Sequence, residues 1–165
     1  MRGRAQLAAV LLLTSTAAAA AQTRIAFVVG NSTYSTLTPL ANPGLDAARL
    51  AQTLGENGFE VISCDGKRPG CFNLTARDLQ LALGTLQTKA KGADLALVFY
   101  AGHGMEAKGG NVMAPIDSKF DCTTGELAGG VPIDAVLAAI APSKAKNRRA
   151  GCLPQQSGEH GLPGV

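Results

Sequence analysis

The chain has 165 residues, of which 46% are hydrophobic and 16% charged, and a formal net charge of +3. That length suits one domain with a real core. Without Arg2 and Arg4 of the leader read below the charge is about +1, and so near-neutral a domain gives no electrostatic case for nucleic acid or an anionic membrane surface as partner.

Residues 1–21 have the layout of a secretory signal peptide: Arg2 and Arg4, an apolar stretch over 7–20, and Ala19-Ala-Ala21 before Gln22. The stretch is too short and wrongly flanked to span a membrane permanently. Cleavage after Ala21 takes the charge to about +1 and predicts an exported product, periplasmic or secreted, with no membrane attachment.

Residues 24–29 form an apolar, β-branched run ending at Gly30-Asn31, which predicts a strand and a turn. A loop rich in Ser, Thr and Pro follows through Asn42-Pro43. A helix is then predicted from about Gly44, with Ala47, Leu50, Ala51 and Leu54 on one face and a stop at Asn57-Gly58. Residues 59–63 read as a second short strand. Cys64 and Cys71 bracket Asp65-Gly-Lys-Arg-Pro-Gly70, a turn-rich loop able to bring the two sulfurs together in an exported protein. The spacing is equally compatible with two free thiols. The only histidines are His103 and His160, too few beside these cysteines for a zinc site.

Asn73 or Thr75 can cap a second helix whose stripe is Leu79, Leu83, Leu86 and Ala90, ending near Gly92. Leu95-Ala-Leu-Val-Phe-Tyr-Ala-Gly-His-Gly-Met105 comes next, an unbroken apolar run leading into a histidine between glycines. Such a run reads as a strand buried on both faces, and its carboxyl end is where open α/β sheets place their chemistry. Gly102 and Gly104 would let a substrate backbone approach His103 closely. The plainer alternative is a histidine that only satisfies local hydrogen bonds. Residues 105–113 read as a hairpin with Gly109-Gly110 at its tip, and residues 132–140 as a third helix with Pro132 in its first turn. The β-α-β-α-β alternation predicts a three-layer α/β/α domain with a mostly parallel sheet.

Arg24-Ile-Ala-Phe-Val-Val-Gly-Asn31, Leu45-Asp-Ala-Ala-Arg-Leu50, Gly58-Phe-Glu-Val61 and above all Phe99-Tyr-Ala-Gly-His-Gly104 together resemble the caspase-like cysteine peptidases. The likeness spans residues 24–143. It implies a caspase-like fold, a peptide or protein substrate and a catalytic mechanism without cofactor or metal. By resemblance His103 is the catalytic histidine, the backbone N–H of Gly104 is an oxyanion-hole donor, and Asp117 ends the next short strand in Ala114-Pro-Ile-Asp117. In such sites a thiolate attacks the peptide carbonyl, an imidazole handles the proton, and backbone N–H groups hold the oxyanion.

The nucleophile in this family follows the histidine, at the end of the next parallel strand, in a segment like Leu-Asp-Ala-Cys-Arg. After the third helix this chain instead reads Lys146-Asn-Arg-Arg-Ala-Gly-Cys-Leu-Pro-Gln-Gln-Ser157, without an apolar strand. The expectation is a fold missing its Cys-bearing fourth strand: an incomplete domain over 22–147 and a disordered, non-native tail over 148–165. Cys152 is rejected as nucleophile, because no strand would hold it against His103.

The tail has a second reading. Codons that begin at the second base of the Arg148 codon can spell Val-Val-Leu-Asp-Ala-Cys-Arg-Asn-Asn-Pro through Ser157. Ten consecutive fits in one frame point to a frameshift near Arg148, with the nucleophile encoded but absent from this polypeptide.

The leading expectation is a cysteine endopeptidase domain, inactive as it stands; the alternative is a non-catalytic caspase-like module that binds peptides or partners. A serine α/β hydrolase would need a Gly-x-Ser-x-Gly elbow, and none occurs. Leu40-Ala-Asn-Pro-Gly44 carries no arginine, which argues against preference for aspartate. Asp46, the nearest acidic residue, better suits the dipole of its own helix.

Overall fold

Six of the seven residues of β1 (Arg24–Gly30) are buried, and β1 lies inside the sheet with a neighbour on either edge. An unbroken apolar, β-branched run becomes such a strand when helices cover both faces. The structure is a computed structural model and describes residues 22–107 and 110–150. After β1 the chain forms α1 (Pro43–Glu56), β2 (Glu60–Val61), β3 (Cys71–Phe72), α2 (Ala76–Ala90) and β4 (Leu95–Ala101). It continues through β5 (Gly104–Ala107), β6 (Gly110–Met113), β7 (Lys119–Asp121), β8 (Glu126–Ala128), β9 (Val131–Pro132), α3 (Ile133–Ile140) and β10 (Ala145–Ala150).

The main sheet runs β10-β4-β1-β2, with β3 pairing farther along β1, and every pairing is parallel. Side-chain alternation assigns the layers. Ala26 and Val28 pack with Ala47, Ala51 and Leu54 of α1, joined by Leu97 and Phe99. Ile25, Phe27 and Val29 pack on the other face with Leu79 and Leu86 of α2 and Val136 and Ile140 of α3. The result is the three-layer α/β/α arrangement that the alternation of elements predicts.

Helix ends follow local chemistry. Pro43, which has no N–H to leave unpaired, opens α1 one residue before the expected start, and Gly58 (φ 77) follows its end in the left-handed region. Thr75 caps α2, its hydroxyl accepting the Asp78 N–H at 3.2 Å. Pro132 is the N-cap of α3 rather than part of its first turn.

The hairpin expected over 105–113 is present as β5 and β6, paired out to Ala107 and Gly110. Its expected tip residue Gly109 lies outside the described residues. Strands β3, β7, β8 and β9 are two or three residues long, below the length at which periodicity signals a strand.

One expectation is corrected: the fold is not missing its fourth strand. β10 pairs with β4 in parallel from Ala145 opposite Leu95 to Ala150 opposite Tyr100. The Lys144 N–H donates to the Ala93 carbonyl (3.1 Å) and the Ala145 N–H to that of Asp94 (3.0 Å), which sets the register. Lys144 also pairs with Asp94 at 2.8 Å. Parallel pairing is a backbone property, and edge strands tolerate basic side chains that a central strand would not. Residues 148–150, expected to begin a non-native tail, therefore belong to the sheet and pair along β4. Residues 1–21, expected to be a signal peptide, and those beyond Ala150, Cys152 included, lie outside the described residues.

Candidate active site

β1 and β4 run side by side, Gly30 opposite Ala101, so their carboxyl ends open into adjacent loops. The loop after β1 carries Tyr34 and Thr38, and the turn after β4 carries His103. Several bonds pin the first loop. The Leu40 N–H donates to the Ser32 carbonyl at 2.9 Å, closing it at its base. The Ser35 N–H donates to the Ile116 carbonyl at 2.8 Å, and the Thr36 hydroxyl donates to that of Ser118.

His103 is buried, with 8% of its surface exposed. Its ring sits 4.7 Å from that of Tyr34, tilted by 58°. Nε2 lies 2.7 Å from the carbonyl oxygen of Thr38. A carbonyl only accepts, so Nε2 carries a proton and donates it, leaving Nδ1 as the ring's basic position in the neutral form.

The backbone at His103 is held from both sides. Its N–H donates to the Tyr34 hydroxyl at 2.9 Å, and its carbonyl accepts from the Tyr100 hydroxyl at 2.7 Å and from the Ala114 N–H at 2.9 Å. Burial pushes the Tyr34 phenol above its ordinary pKa, outweighing the His103 N–H and the Tyr100 hydroxyl, which pull the other way. A phenol held protonated remains a donor as well as an acceptor.

The reason for Gly102 is corrected. A Cβ there would stand 2.6 Å from the Tyr100 hydroxyl oxygen and 2.7 Å from that of Tyr34. The missing side chain makes room for two tyrosines rather than for a substrate backbone. Gly104 is different. It faces Met113 across β5 and β6, and the flanking bond runs from the Ala114 N–H to the His103 carbonyl. In an antiparallel ladder that makes Gly104 and Met113 a non-hydrogen-bonded pair, so the Gly104 N–H points away from β6.

Two asparagines brace the site. Asn31, fully buried, donates through Nδ2 to the Ala114 carbonyl (3.1 Å) and accepts the Leu74 N–H at Oδ1 (3.0 Å). Asn73 accepts the N–H groups of Ser32 (2.8 Å) and Thr33 (3.1 Å). Asp117 accepts the Ala76 N–H at 2.8 Å, inside the first turn of α2, and so serves that helix. Asp46 stands exposed in the first turn of α1, as expected.

Cys64 and Cys71 are joined in a disulfide, which settles the pairing that spacing left open. Cys122, exposed just past β7, is the free cysteine among the described residues. A groove of about 400 Å³ lies against α2, lined by the bridge loop with Ile62, Phe72, Asn73, Leu74 and Leu81. His103 does not line it. Of the bracing residues, sequence reading names Asn31 and Asn73 only as a turn and a cap, and misses Tyr34 and Thr38. The signal available for Tyr34 was an aromatic in a Ser/Thr loop directly after a buried strand; a backbone carbonyl such as that of Thr38 leaves none.

The comparisons agree with this architecture. The caspase-domain family model matches residues 23–138. The human mucosa-associated lymphoid tissue lymphoma translocation protein 1 is 28% identical over 98 residues, which is 59% of this chain and 11% of that protein. The crystal structure of protein GSU0716 from Geobacter sulfurreducens superposes with a TM-score of 0.54 at 16% identity, covering 78% of this chain and 48% of that one. Both relatives are longer, so this chain corresponds to a part of each. With the family match spanning β1 to α3, the chain belongs to the caspase-domain family.

Proposed function

We propose that this chain is the histidine-bearing part of an exported caspase-like cysteine endopeptidase, and that it is inactive as it stands because its nucleophile segment is read out of frame. The observation that carries the catalytic reading is the 2.7 Å contact between His103 Nε2 and the Thr38 carbonyl. With one ring nitrogen occupied, Nδ1 is the one free to take the proton of an attacking thiol. The thiolate adds to the peptide carbonyl and the Gly104 N–H steadies the oxyanion. The imidazolium then protonates the leaving amine, and water hydrolyses the acyl-enzyme. Losing one such donor raises the barrier by about 3–4 kcal/mol. Peptides or proteins are the substrates, and the steps use no cofactor. Export is supported by the disulfide, a bond that persists in oxidising compartments.

β10 supports the frame reading. It ends at Ala150 opposite Tyr100, and the shifted frame would place Asp-Ala-Cys directly after it, where a strand beside β4 delivers a nucleophile. Cys152 follows the same strand by two positions, but Ala150-Gly151 stands before it where such segments carry Leu-Asp-Ala, and it remains rejected as nucleophile. Reading the codons for residues 146–157 tests the frameshift. The protein from the restored frame is then treated with a peptidyl chloromethylketone and mapped by mass spectrometry. A single adduct on the cysteine encoded across the Leu153 codon is expected. Labelling at Cys152 of the present chain, with no label on the restored one, would overturn it.

A second reading, a non-catalytic peptide- or partner-binding module, is favoured by one observation. The cysteines among the described residues are a bridged pair and the exposed Cys122.

A further inference from the structure

Asn73 is the single non-glycine residue at positive φ among the described residues (φ 51). A left-handed conformation at a side-chain-bearing residue persists where the surroundings hold it. Here its own N–H donates to the Gly30 carbonyl at 3.0 Å, and its Oδ1 accepts from Ser32 and Thr33. Ser32 is the base of the loop that carries Tyr34 and Thr38: its carbonyl accepts the Leu40 N–H, and its hydroxyl accepts the Gly44 N–H at 2.9 Å. One amide oxygen therefore holds the root of the loop whose far end is bonded to His103 Nε2.

What holds Asn73 is β3, immediately before it. That strand has two residues, Cys71 opposite Val29 and Phe72 opposite Gly30. Two ladder positions are a weak anchor by themselves. The bridge from Cys71 to Cys64 ties β3 to the segment following β2 and limits how far β3 can leave β1. Cys64 is exposed while Cys71 is buried, so a reductant has access from outside.

We propose that Asn73 is a positioning residue for His103, and that the Cys64–Cys71 disulfide keeps it in place. The proposal rests on the reading of His103 as the site's base. With the bridge closed, Asn73 clamps the loop base and Thr38 holds Nε2, so the imidazole presents one tautomer. With the bridge opened or Oδ1 removed, the loop base loosens and the ring samples both tautomers.

The test uses the full chain and does not depend on peptidase activity. Long-range nitrogen–proton NMR correlation reports which ring nitrogen carries the proton, and the chain holds two histidines, His103 and His160. Spectra are taken on the alkaline side, at a pH beyond which the ring signals no longer move. His160→Gln assigns the second signal. The oxidised wild-type chain is expected to show His103 as a single Nε2–H form. Asn73→Gly keeps the left-handed backbone and removes Oδ1, and is expected to give averaged tautomers. Asn73→Asp keeps an acceptor at the same place and is expected to restore the single form. Reducing the wild-type chain with a water-soluble phosphine is expected to give averaging as well. In that step water supplies two protons, the disulfide becomes two thiols, and the phosphine leaves as its oxide. The reduction arm stands even where a variant does not fold. A single Nε2–H form retained after both reduction and Asn73→Gly would overturn the positioning role. Averaging already present in the oxidised wild type would overturn the reading of His103 itself, and the proposal with it.

Discussion

The Tyr34 hydroxyl accepts the backbone N–H of His103 at 2.9 Å while its ring packs 4.7 Å from the imidazole. One side chain from the loop after β1 thus holds both the backbone and the face of a histidine that follows β4. Tyr34→Phe keeps the ring and removes the acceptor. Stability is expected to fall by about 1–2 kcal/mol, read as a lower denaturation midpoint at unchanged slope. No loss would show that water replaces the hydroxyl without cost.

The same geometry makes Gly102 intolerant of any side chain. Gly102→Ala places a methyl 2.6 Å and 2.7 Å from the two tyrosine hydroxyls. The expected cost is about 1–3 kcal/mol, and part of it should vanish in the Tyr34→Phe background, where one clash is gone. Strictly additive losses in a double-mutant cycle would contradict the account.

Asn31 is expected to be more sensitive than its place in a turn suggests. Asn31→Ala leaves the buried Leu74 N–H without its acceptor and removes a donor to Ala114. A loss of about 2–3 kcal/mol in chemical unfolding is expected. A change below about 0.5 kcal/mol, the size of an ordinary surface substitution, would mean that the Leu74 N–H finds another partner.

Much of this fold was legible from residue pattern. The runs at 24–29 and 95–101 are apolar enough to declare strands, although of the second only Ala96 and Tyr100 are buried, and the stripes of α1 and α2 declare their helices. His103 stood out because it ends such a run between glycines. The braces did not stand out, because Tyr34, Thr38 and Asn73 act through one or two hydrogen bonds that involve backbone groups, and these carry no periodicity. β10 was missed for a related reason. Lys146, Asn147, Arg148 and Arg149 look nothing like a strand buried in a parallel sheet, yet the edge of β4 asks only for backbone in register.

Acid should weaken the bridge loop in a definite window. The N–H groups of Lys67 and then Arg68 bond to Asp65 and hold its carboxyl at about 2, below the usual carboxylate value. A depressed folded-state pKa contributes stability that is present above about pH 4 and fades as the pH falls toward 2. Asp94 and Asp121 are lowered in the same direction, by Lys144 and by the Thr123 N–H respectively. The gap in denaturation midpoint between the wild-type chain and Asp65→Asn is therefore expected to be widest near neutrality and to close between pH 4 and 2. A gap that stays constant over that range would remove Asp65 from the acid response.

Hydrolysis of an unfolded fluorescent protein substrate by the restored-frame enzyme, beside its His103→Ala variant, tests the central claim most directly. The restored enzyme is expected to cleave, and the variant to lose at least about a hundredfold in rate, the lower end of what a positioned proton-transfer group contributes. Equal cleavage by both proteins would contradict the account, because the proton would then be handled by a group other than His103.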